Sequence, residues 1–468
     1  MPGEAPDPAL ASRPVTRTTL TGWGRTNPSV AELVDVFRAE LPDVLKEAGP
    51  RGALVRGLGR SYGDAAQNAG GLVLRLMGSA TDAVLDRERG QVTVSAGASL
   101  DELLRYLVPR GFFVPVTPGT RFVTIGGAIA SDIHGKNHHV DGSFGNHVVR
   151  MSLQLADGSV AELSRTQDPE LFWATIGGMG LTGVVLDATV QLLPVETSRM
   201  AVDTYRIADL DRLMAVMDDG EDEAHRYSVA WIDLAAKGAQ LGRSVLTRGD
   251  HARFDELPAE LQTDPLAYGP SQLVSVPPVI PRPGLLNHAT VAAFNELWFR
   301  KAPKRKLGGI ESISSFFHPL DMVGQWTRFY GRSGLVQYQL MVPFGQEEAM
   351  RRIVERVAAS GTASFLAVLK RFGAGNEAPL SFPQPGWTLA LDMPGGAPGL
   401  GSLLHALDEM VLEVGGRNYF AKDAHTSPET IRRGYPRLAE WQAVRRRADP
   451  HGVWQSDLGR RLRLADDD

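Results

Sequence analysis

Arg56-Gly57-Leu58-Gly59-Arg60-Ser61-Tyr62-Gly63-Asp64 is the stretch on which the reading of this 468-residue chain turns. It follows directly on a β-rich run, Ala53 to Arg56. Its glycines permit close backbone approach to a ligand, and successive main-chain N–H groups in such a turn make an anion-binding concavity suited to a pyrophosphate. No helix pattern begins immediately after it and the glycine spacing is not that of the dinucleotide fingerprint, so a Rossmann site is not implied. Taken alone, an ordinary glycine-rich turn reads as well. Two more small-residue segments change the balance: Pro118-Gly119-Thr120 continuing through Thr124-Ile125-Gly126-Gly127-Ala128-Ile129-Ala130-Ser131, and Gly177-Gly178-Met179-Gly180-Leu181-Thr182-Gly183. Together they exceed what chain reversal requires, and small residues let a long, flat ligand pass.

Composition narrows the chemistry. With 43% hydrophobic and 22% charged residues the chain is globular and long enough for a large core in two or three domains. It has no cysteine, which excludes disulfides, zinc–thiolate sites, iron–sulfur clusters and thiol nucleophiles. Redox chemistry must then come from a bound organic cofactor. A net charge of −5 argues against a nucleic-acid partner. The first 28 residues hold prolines and acids but no apolar signal core, and no uncharged run makes a credible transmembrane helix. A cytoplasmic or peripherally membrane-associated protein is expected, with the periplasmic side left open.

Ser29-x-x-Glu32 and Ser99-x-x-Glu102 read as capping boxes, predicting helices over Leu33 to Phe37 and Leu103 to Leu107. Ala53 to Arg56, Leu72 to Leu76 and Gln91 to Ala96 read as strands. Val148 to Leu155 and Val160 to Leu163, joined through Asp157-Gly158, read as a hairpin, and Asp168-Pro169-Glu170 opens a short helix. After about residue 195 the texture changes to longer amphipathic runs such as Leu210 to Met217 and strands such as Leu335 to Val342. Between Pro265 and Pro283 six prolines interleave with apolar residues, with Trp298 and the cations Arg300, Lys301, Lys304, Arg305 and Lys306 beyond, and the segment resists regular structure. It reads either as a membrane-facing flap or as a disordered connection.

His134, His138 and His139 fall in Asp132-Ile133-His134-Gly135-Lys136-Asn137-His138-His139. In an extended segment the adjacent pair points oppositely and forms no chelate, so no metal site is expected. In Leu335 to Leu340, Gln337 and Gln339 share one strand face. In Phe365 to Phe372, Leu366, Val368, Lys370 and Phe372 do the same, an apolar row ending in a cation that suits a phosphorylated lipid or, equally, a core strand with a snorkelling lysine. Lys422 next to Asp423 reads by itself as a surface pair.

The order of these glycine segments, with Gly142-Ser143-Phe144-Gly145-Asn146 between them, resembles the FAD-binding domain of the vanillyl-alcohol oxidase superfamily, of PCMH type. Over nearly the whole chain, from Leu20-Thr21-Gly22-Trp23-Gly24 to Phe420-Ala421-Lys422-Asp423 and Asp449-Pro450-His451-Gly452-Val453-Trp454, it is more closely similar to the flavoprotein oxidase subunits of decaprenylphosphoryl-β-D-ribose 2'-epimerases, a family of actinobacterial cell-wall enzymes. The resemblance implies an α+β fold: a two-part FAD-binding domain over 18–195 and 415–468, with a substrate domain inserted over 196–414, built on an antiparallel sheet flanked by helices. It implies flavin contacts from Arg56, Gly57, Leu58, Gly59, Arg60, Ser61 and Tyr62, and from Pro118, Gly119, Thr124, Ile125, Gly126, Gly127, Ala130, Ser131, His134, Gly135, Asn137 and Gly142. Further flavin contacts fall on Gly180, Gly183 and Val184, and on Tyr419, Ala421 and Lys422. Substrate contacts fall on Lys136, Phe317, Gln337, Gln339, Leu366, Lys370, Phe372, Thr388 and Ala390, and the reacting centre on Lys422, His134 and Tyr62.

The implied reaction is FAD-dependent oxidation of the 2'-hydroxyl of decaprenylphosphoryl ribose to a ketone, the first half of epimerisation to an arabinan donor. A separate NAD(P)H-dependent reductase and a membrane surface are the expected partners. Arg60 stands where relatives with covalent flavin often carry histidine, so the FAD is expected to be held non-covalently. Mycobacterial members carry a cysteine, an asparagine and a tyrosine where this chain has Ala390, Thr388 and Phe317, which alters the pocket without touching hydride chemistry. A soluble alditol or aldonolactone oxidase and a non-catalytic flavin-binding assembly subunit are the alternatives.

Overall fold

The computed structural model describes residues 15–269, 274–277, 287–362, 364 and 366–465. The N-terminal part carries two sheets. β1 (Thr16–Leu20), β2 (Ser29–Val36), β3 (Ala53–Val55) and β4 (Leu72–Leu76) form the first in the order β1-β2-β4-β3, with β2, β4 and β3 parallel. β5 (Val84–Asp86), β6 (Gln91–Ser95), β8 (Val148–Gln154), β9 (Val160–Ser164) and β10 (Val184–Gln191) form an antiparallel second sheet, ordered β5-β6-β10-β8-β9. The hairpin of β8 and β9 turns through Asp157-Gly158, where Gly158 has φ of 87°. β7 (Phe112–Phe113) pairs with β11 (Leu193–Pro194) and closes this part just before residue 195.

The insertion is built on one antiparallel sheet. β12 (Arg199–Ile207), β13 (Tyr227–Ile232), β14 (Ser244–His251), β16 (Arg305–Ser312), β18 (Leu335–Pro343), β19 (Ala367–Phe372), β20 (Gly386–Pro394) and β21 (Arg417–Asn418) lie in the order β16-β12-β14-β13-β19-β20-β18-β21. A short parallel pair, β15 (Val274–Ser275) and β17 (Val323–Gly324), lies outside it. On one face, Val336, Tyr338, Leu340, Val342, Ala367, Leu369, Leu389 and Leu391 bury against the helices Leu210–Met217, Glu347–Ser360 and Leu400–Glu413. Side chains alternate along a strand, so Gln337, Gln339, Val368, Lys370, Thr388, Ala390 and Asp392 are left for the opposite face.

The C-terminal tail returns to the first sheet. Ala53 N donates to Val453 O at 2.8 Å and Gln455 N to Ala53 O at 3.0 Å, seating Trp454 fully buried among Val34, Val36, Leu72 and Leu74. β21, though close to this tail, belongs to the sheet of the insertion.

Two local readings are corrected. Ser29–Val36 is a strand, not a helix: Ala31, Val34 and Val36 are buried while Glu32 and Asp35 are exposed, and pairing with β1 and β4 outweighs the capping box. At Ser99 the box holds, with Ser99 Oγ accepting from Glu102 N and the Glu102 carboxylate accepting from Ser99 N, and Leu100–Leu107 is the helix. The proline-rich segment is followed by a regular helix, His288–Lys301, started by Asn287 accepting from Ala289 N and Thr290 N. Within that segment, 270–273 and 278–286 lie outside the described residues.

Trp454→Ala removes the largest side chain joining tail and first sheet, and is expected to cost about 3–5 kcal/mol, read as a lower midpoint of denaturant unfolding.

Candidate active site

The three glycine segments converge. A Cβ on Gly57 would stand 2.4 Å from Thr124 Oγ1, so glycine is required for the first loop to lie against the second segment. Thr124 caps the helix Ile125–Ala130 by accepting from Gly127 N. Gly177 N and Met179 N donate to Ile129 O and Ala130 O at 3.0 and 2.8 Å, seating the third turn on that helix. Tyr62 N donates to Ala421 O at 2.9 Å and Tyr419 Oη to Ser131 O at 2.7 Å, which brings the turn Phe420–Lys422 to the same place. Among the described residues the backbone N–H groups of Gly57, Leu58, Gly59, Arg60 and Ser61 donate to no protein acceptor. Gly59 is buried with φ of 64°, and Arg60 lies with its guanidinium 3.8 Å from the centre of the Trp23 ring. A run of unpaired amides in a folded backbone is a site made for an anionic ligand.

Against this stands the free face of the large sheet. Gln337 pairs in register with Asp392, and Gln339 with Ala390, which in turn faces Val368. Leu366, Val368, Lys370, Ala390 and Lys422 are partly buried and form the floor, while Gln337 and Gln339 are buried rather than solvated. Gln339 Nε2 donates to Thr388 Oγ1 at 3.1 Å, and Thr388 Oγ1 donates to Leu340 O at 2.9 Å. The same amide lies 2.9 Å from His134 Nε2, so that nitrogen accepts and the neutral ring carries its proton on Nδ1, which is buried and has no partner. Phe372 packs on His134 and His138 with ring centres 4.9 and 4.5 Å away. Lys370 Nζ donates to Gly135 O at 3.3 Å, Lys136 Nζ donates to Phe316 O and lies 4.0 Å from that ring's centre, and Lys422 Nζ lies 4.1 Å from the centre of the Tyr62 ring.

Burial sets the protonation of these groups. It pushes His134 well below the ordinary histidine range, and Lys370, His138 and Lys422 add to the effect. Desolvation lowers Lys136 to about 8 and Lys370 to about 7, the latter helped by Lys422 and Lys136. Lys422 is also held down by burial, against the pull of Asp392. Asp392, absent from the sequence reading, is held up by burial and opposed by Gln337 and Lys422. Its only signal was its position two residues after Ala390 on an alternating strand, which an isolated strand shows equally for a solvated aspartate.

Some expected contacts sit elsewhere. Phe317 is buried with Phe113 and Tyr227, its ring centre 5.3 and 4.8 Å from theirs, and adds no open surface. The Val184 side chain packs into the tail core around Trp454. Asn137 is taken up by Pro115 O and Asp141 at 2.7 and 2.6 Å. His138 and His139 lie in a short helix, His138–Asp141, and His139 reaches the carbonyl oxygens of Asp222 and His225. Gly142, with φ of 72°, turns the chain beside Asn146. Asp423 does not pair with Lys422: it meets Arg461 at 2.9 Å, and Arg461 also holds Asp64.

Residues 38–164 match the family model of the FAD binding domain, and residues 391–462 that of D-arabinono-1,4-lactone oxidase. Over 459 residues, 96% of this chain and 98% of the relative, the sequence is 46% identical to decaprenylphosphoryl-β-D-ribose oxidase of Mycolicibacterium smegmatis. The chain belongs to the decaprenylphosphoryl-β-D-ribose oxidase family. The chain is also similar to an uncharacterized Streptomyces coelicolor protein, 42% identical over 78% of this chain and all of the relative, and to L-gulono-1,4-lactone dehydrogenase of Mycobacterium tuberculosis, 24% identical over 91% of this chain and 94% of the relative. The cofactor of this oxidase is FAD. The unpaired amides of Gly57 to Ser61 fit its pyrophosphate, and at Gly119 and Gly180 a Cβ would meet nothing within 4 Å, which leaves open backbone for a long ligand to approach.

Where the insertion meets the N-terminal part, His318 Nε2 and Thr117 Oγ1 are 2.9 Å apart, and burial lowers His318 to about 3. Its folded value lies below the unfolded one, so its contribution to stability is complete above pH ~6.5 and is lost as pH falls towards 3. His318→Asn is expected to flatten the fall of unfolding free energy between about pH 6 and 4 by about 1.4 kcal/mol per pH unit, measured by denaturant titration across that range.

Proposed function

We propose that the protein oxidises the 2'-hydroxyl of decaprenylphosphoryl-β-D-ribose to the 2'-keto sugar. The end-to-end identity to the M. smegmatis oxidase carries this reading. The geometry supports it: a floor of Leu366, Val368 and Ala390 beside Lys370 and Lys136 suits an isoprenoid phosphodiester, and Gln339, whose N–H groups go to Thr388 and His134, keeps its carbonyl oxygen for a sugar hydroxyl. FAD, held non-covalently by 18–195 and 415–468, supplies the hydride acceptor. No covalent link can form through Arg60 or a cysteine.

Lys422 removes the hydroxyl proton. Burial makes its amine available near neutral pH, and its place beside Tyr62 puts it where the sheet face meets the glycine loops. His134 is an orienting group: its Nε2 is engaged by Gln339 and its basicity is suppressed, so Nδ1–H is the donor it offers. Tyr62, raised well above its usual range by burial, stays a neutral phenol under Lys422. The ketone is then reduced by a nicotinamide-dependent subunit on a separate chain.

The lactone oxidase match over 391–462 and the likeness to L-gulono-1,4-lactone dehydrogenase favour a second reading, oxidation of a soluble aldonolactone. Anaerobic addition of a short-chain polyprenylphosphoryl ribose is expected to bleach the flavin band near ~450 nm, while L-gulono-1,4-lactone leaves it; the reverse establishes the lactone activity, and no bleaching by either leaves an assembly role. Acid precipitation is expected to release all the FAD. Lys422→Ala is expected to lower the bleaching rate about 10²–10⁴-fold with flavin content retained.

The partner surface we propose is an anionic bilayer. Among the described residues no helix is long and apolar enough to cross a membrane. On His288–Lys301, Phe294, Leu297 and Trp298 are exposed on one helical face that ends at Lys301, and Leu307 is exposed beside Lys304, Arg305 and Lys306. Leu297→Asp/Trp298→Asp is expected to reduce co-sedimentation with phosphatidylglycerol vesicles several-fold while anaerobic turnover of a short-chain substrate persists.

A further inference from the structure

Asp392 is fully buried at the end of the site, on the sheet face that carries Gln337, Gln339 and Ala390. One carboxylate oxygen accepts from Gln337 Nε2. The other, Oδ2, is buried and has no hydrogen-bond partner. A buried carboxylate half-satisfied in this way is costly unless an opposite charge is at hand. The groups that face it come from each element packed on the site: Tyr62 of the first loop, Tyr330 of the turn Trp326–Ser333, Gln337 of β18, and Lys422 of the C-terminal turn. Lys422 is the cation among them. Asp392 raises its basicity against the burial that lowers it, while Lys370 and His134 are depressed by it.

We propose that Asp392 is a positioning residue for proton removal, holding the Lys422 ammonium that forms when the amine takes the substrate hydroxyl proton. This rests on the oxidase reading given above. The step balances simply: the O–H bond breaks, its proton bonds to Lys422 Nζ, and the C–H bond releases its electron pair as hydride to FAD. Asp392 stays ionised throughout and receives no proton from the substrate. Before the step it faces a neutral amine; after it, an ion pair closes against Oδ2. The interaction therefore favours the state towards which the reaction runs.

The test reads the position of Lys422's titration with and without its carboxylate. Wild-type single-turnover bleaching is expected to rise with pH through one limb as Lys422 loses its proton. In Asp392→Asn that limb moves to lower pH by about one unit or more, because the ammonium loses its opposing charge. Asp392→Glu restores it towards the wild-type position. An Asn limb that stays in place in flavin-loaded protein overturns the proposal, as does a Glu limb displaced as far as the Asn limb. A second readout needs no turnover: the ¹³C-dimethyl resonance of Lys422 after reductive methylation, assigned by its loss in Lys422→Ala, should titrate at lower pH in Asp392→Asn. An unmoved resonance overturns the pairing even if the substrate proves to be a lactone, whereas absence of bleaching in the wild type counts against the oxidase reading alone.

Discussion

A charge taken out of water must be met by a partner, and around the turn that bears Lys422 the partners are drawn from distant stretches of the chain. Asp423 is the clearest case. Its carboxylate accepts from His425 N and Thr426 N, and its other oxygen meets Arg461, which also holds Asp64 of the first loop. The turn bearing Lys422 is thereby fixed between the tail and the flavin loop. On its other flank Asn418 donates to Asp408, which also accepts from Tyr338 of the sheet. Asp132 ties the loop of His134 to the insertion through Asn376 and Ser381, and Arg121 bridges Asp101 and Asp321. Breaking one such link leaves a buried charge uncompensated, which is why the two parts act as one site.

This constraint explains what a linear reading could and could not recover. The glycine loops were legible because glycine is a local requirement: a Cβ at Gly57 collides with Thr124, and Gly59 needs a positive φ. The alternation of Gln337 and Gln339 was legible because a strand repeats every two residues. Ser29–Val36 was misread because both patterns were present and only its neighbours, β1 and β4, decide between them. The helix His288–Lys301 was hidden by the prolines before it, although Asn287 signals its start. Asp392 was hidden for a deeper reason: an aspartate on an alternating strand is ordinarily solvated, and only the packing of a distant lysine makes it part of a site.

Ala390 and Thr388, two of the three positions at which the family resemblance implies other residues in mycobacterial members, lie on β20 of that sheet. Ala390 lies between Gln339 and Val368, and Thr388 between Met341 and Lys370. Ala390 contributes open apolar floor and no chemistry. Thr388 does more, since its hydroxyl is a fixed relay: it gives its proton to Leu340 O and so must accept from Gln339. The direction of that bond passes along the row.

Because the Gln339 amide donates on both sides, His134 can only accept at Nε2, and a ring that accepts there while desolvated by its surroundings stays neutral. Protonating it would oppose Nε2 to an amide N–H and add a charge near Lys370 and Lys422. The lysine faces the opposite situation. Protonating Lys422 places a cation beside a buried carboxylate that lacks a partner on one oxygen. Of the two basic groups beside the glycine loops, the hydrogen-bond network closes one to protons and the buried charge opens the other. The division of labour between His134 and Lys422 thus follows from a threonine two residues from the alanine of the floor, and from an aspartate two residues beyond it on the same strand.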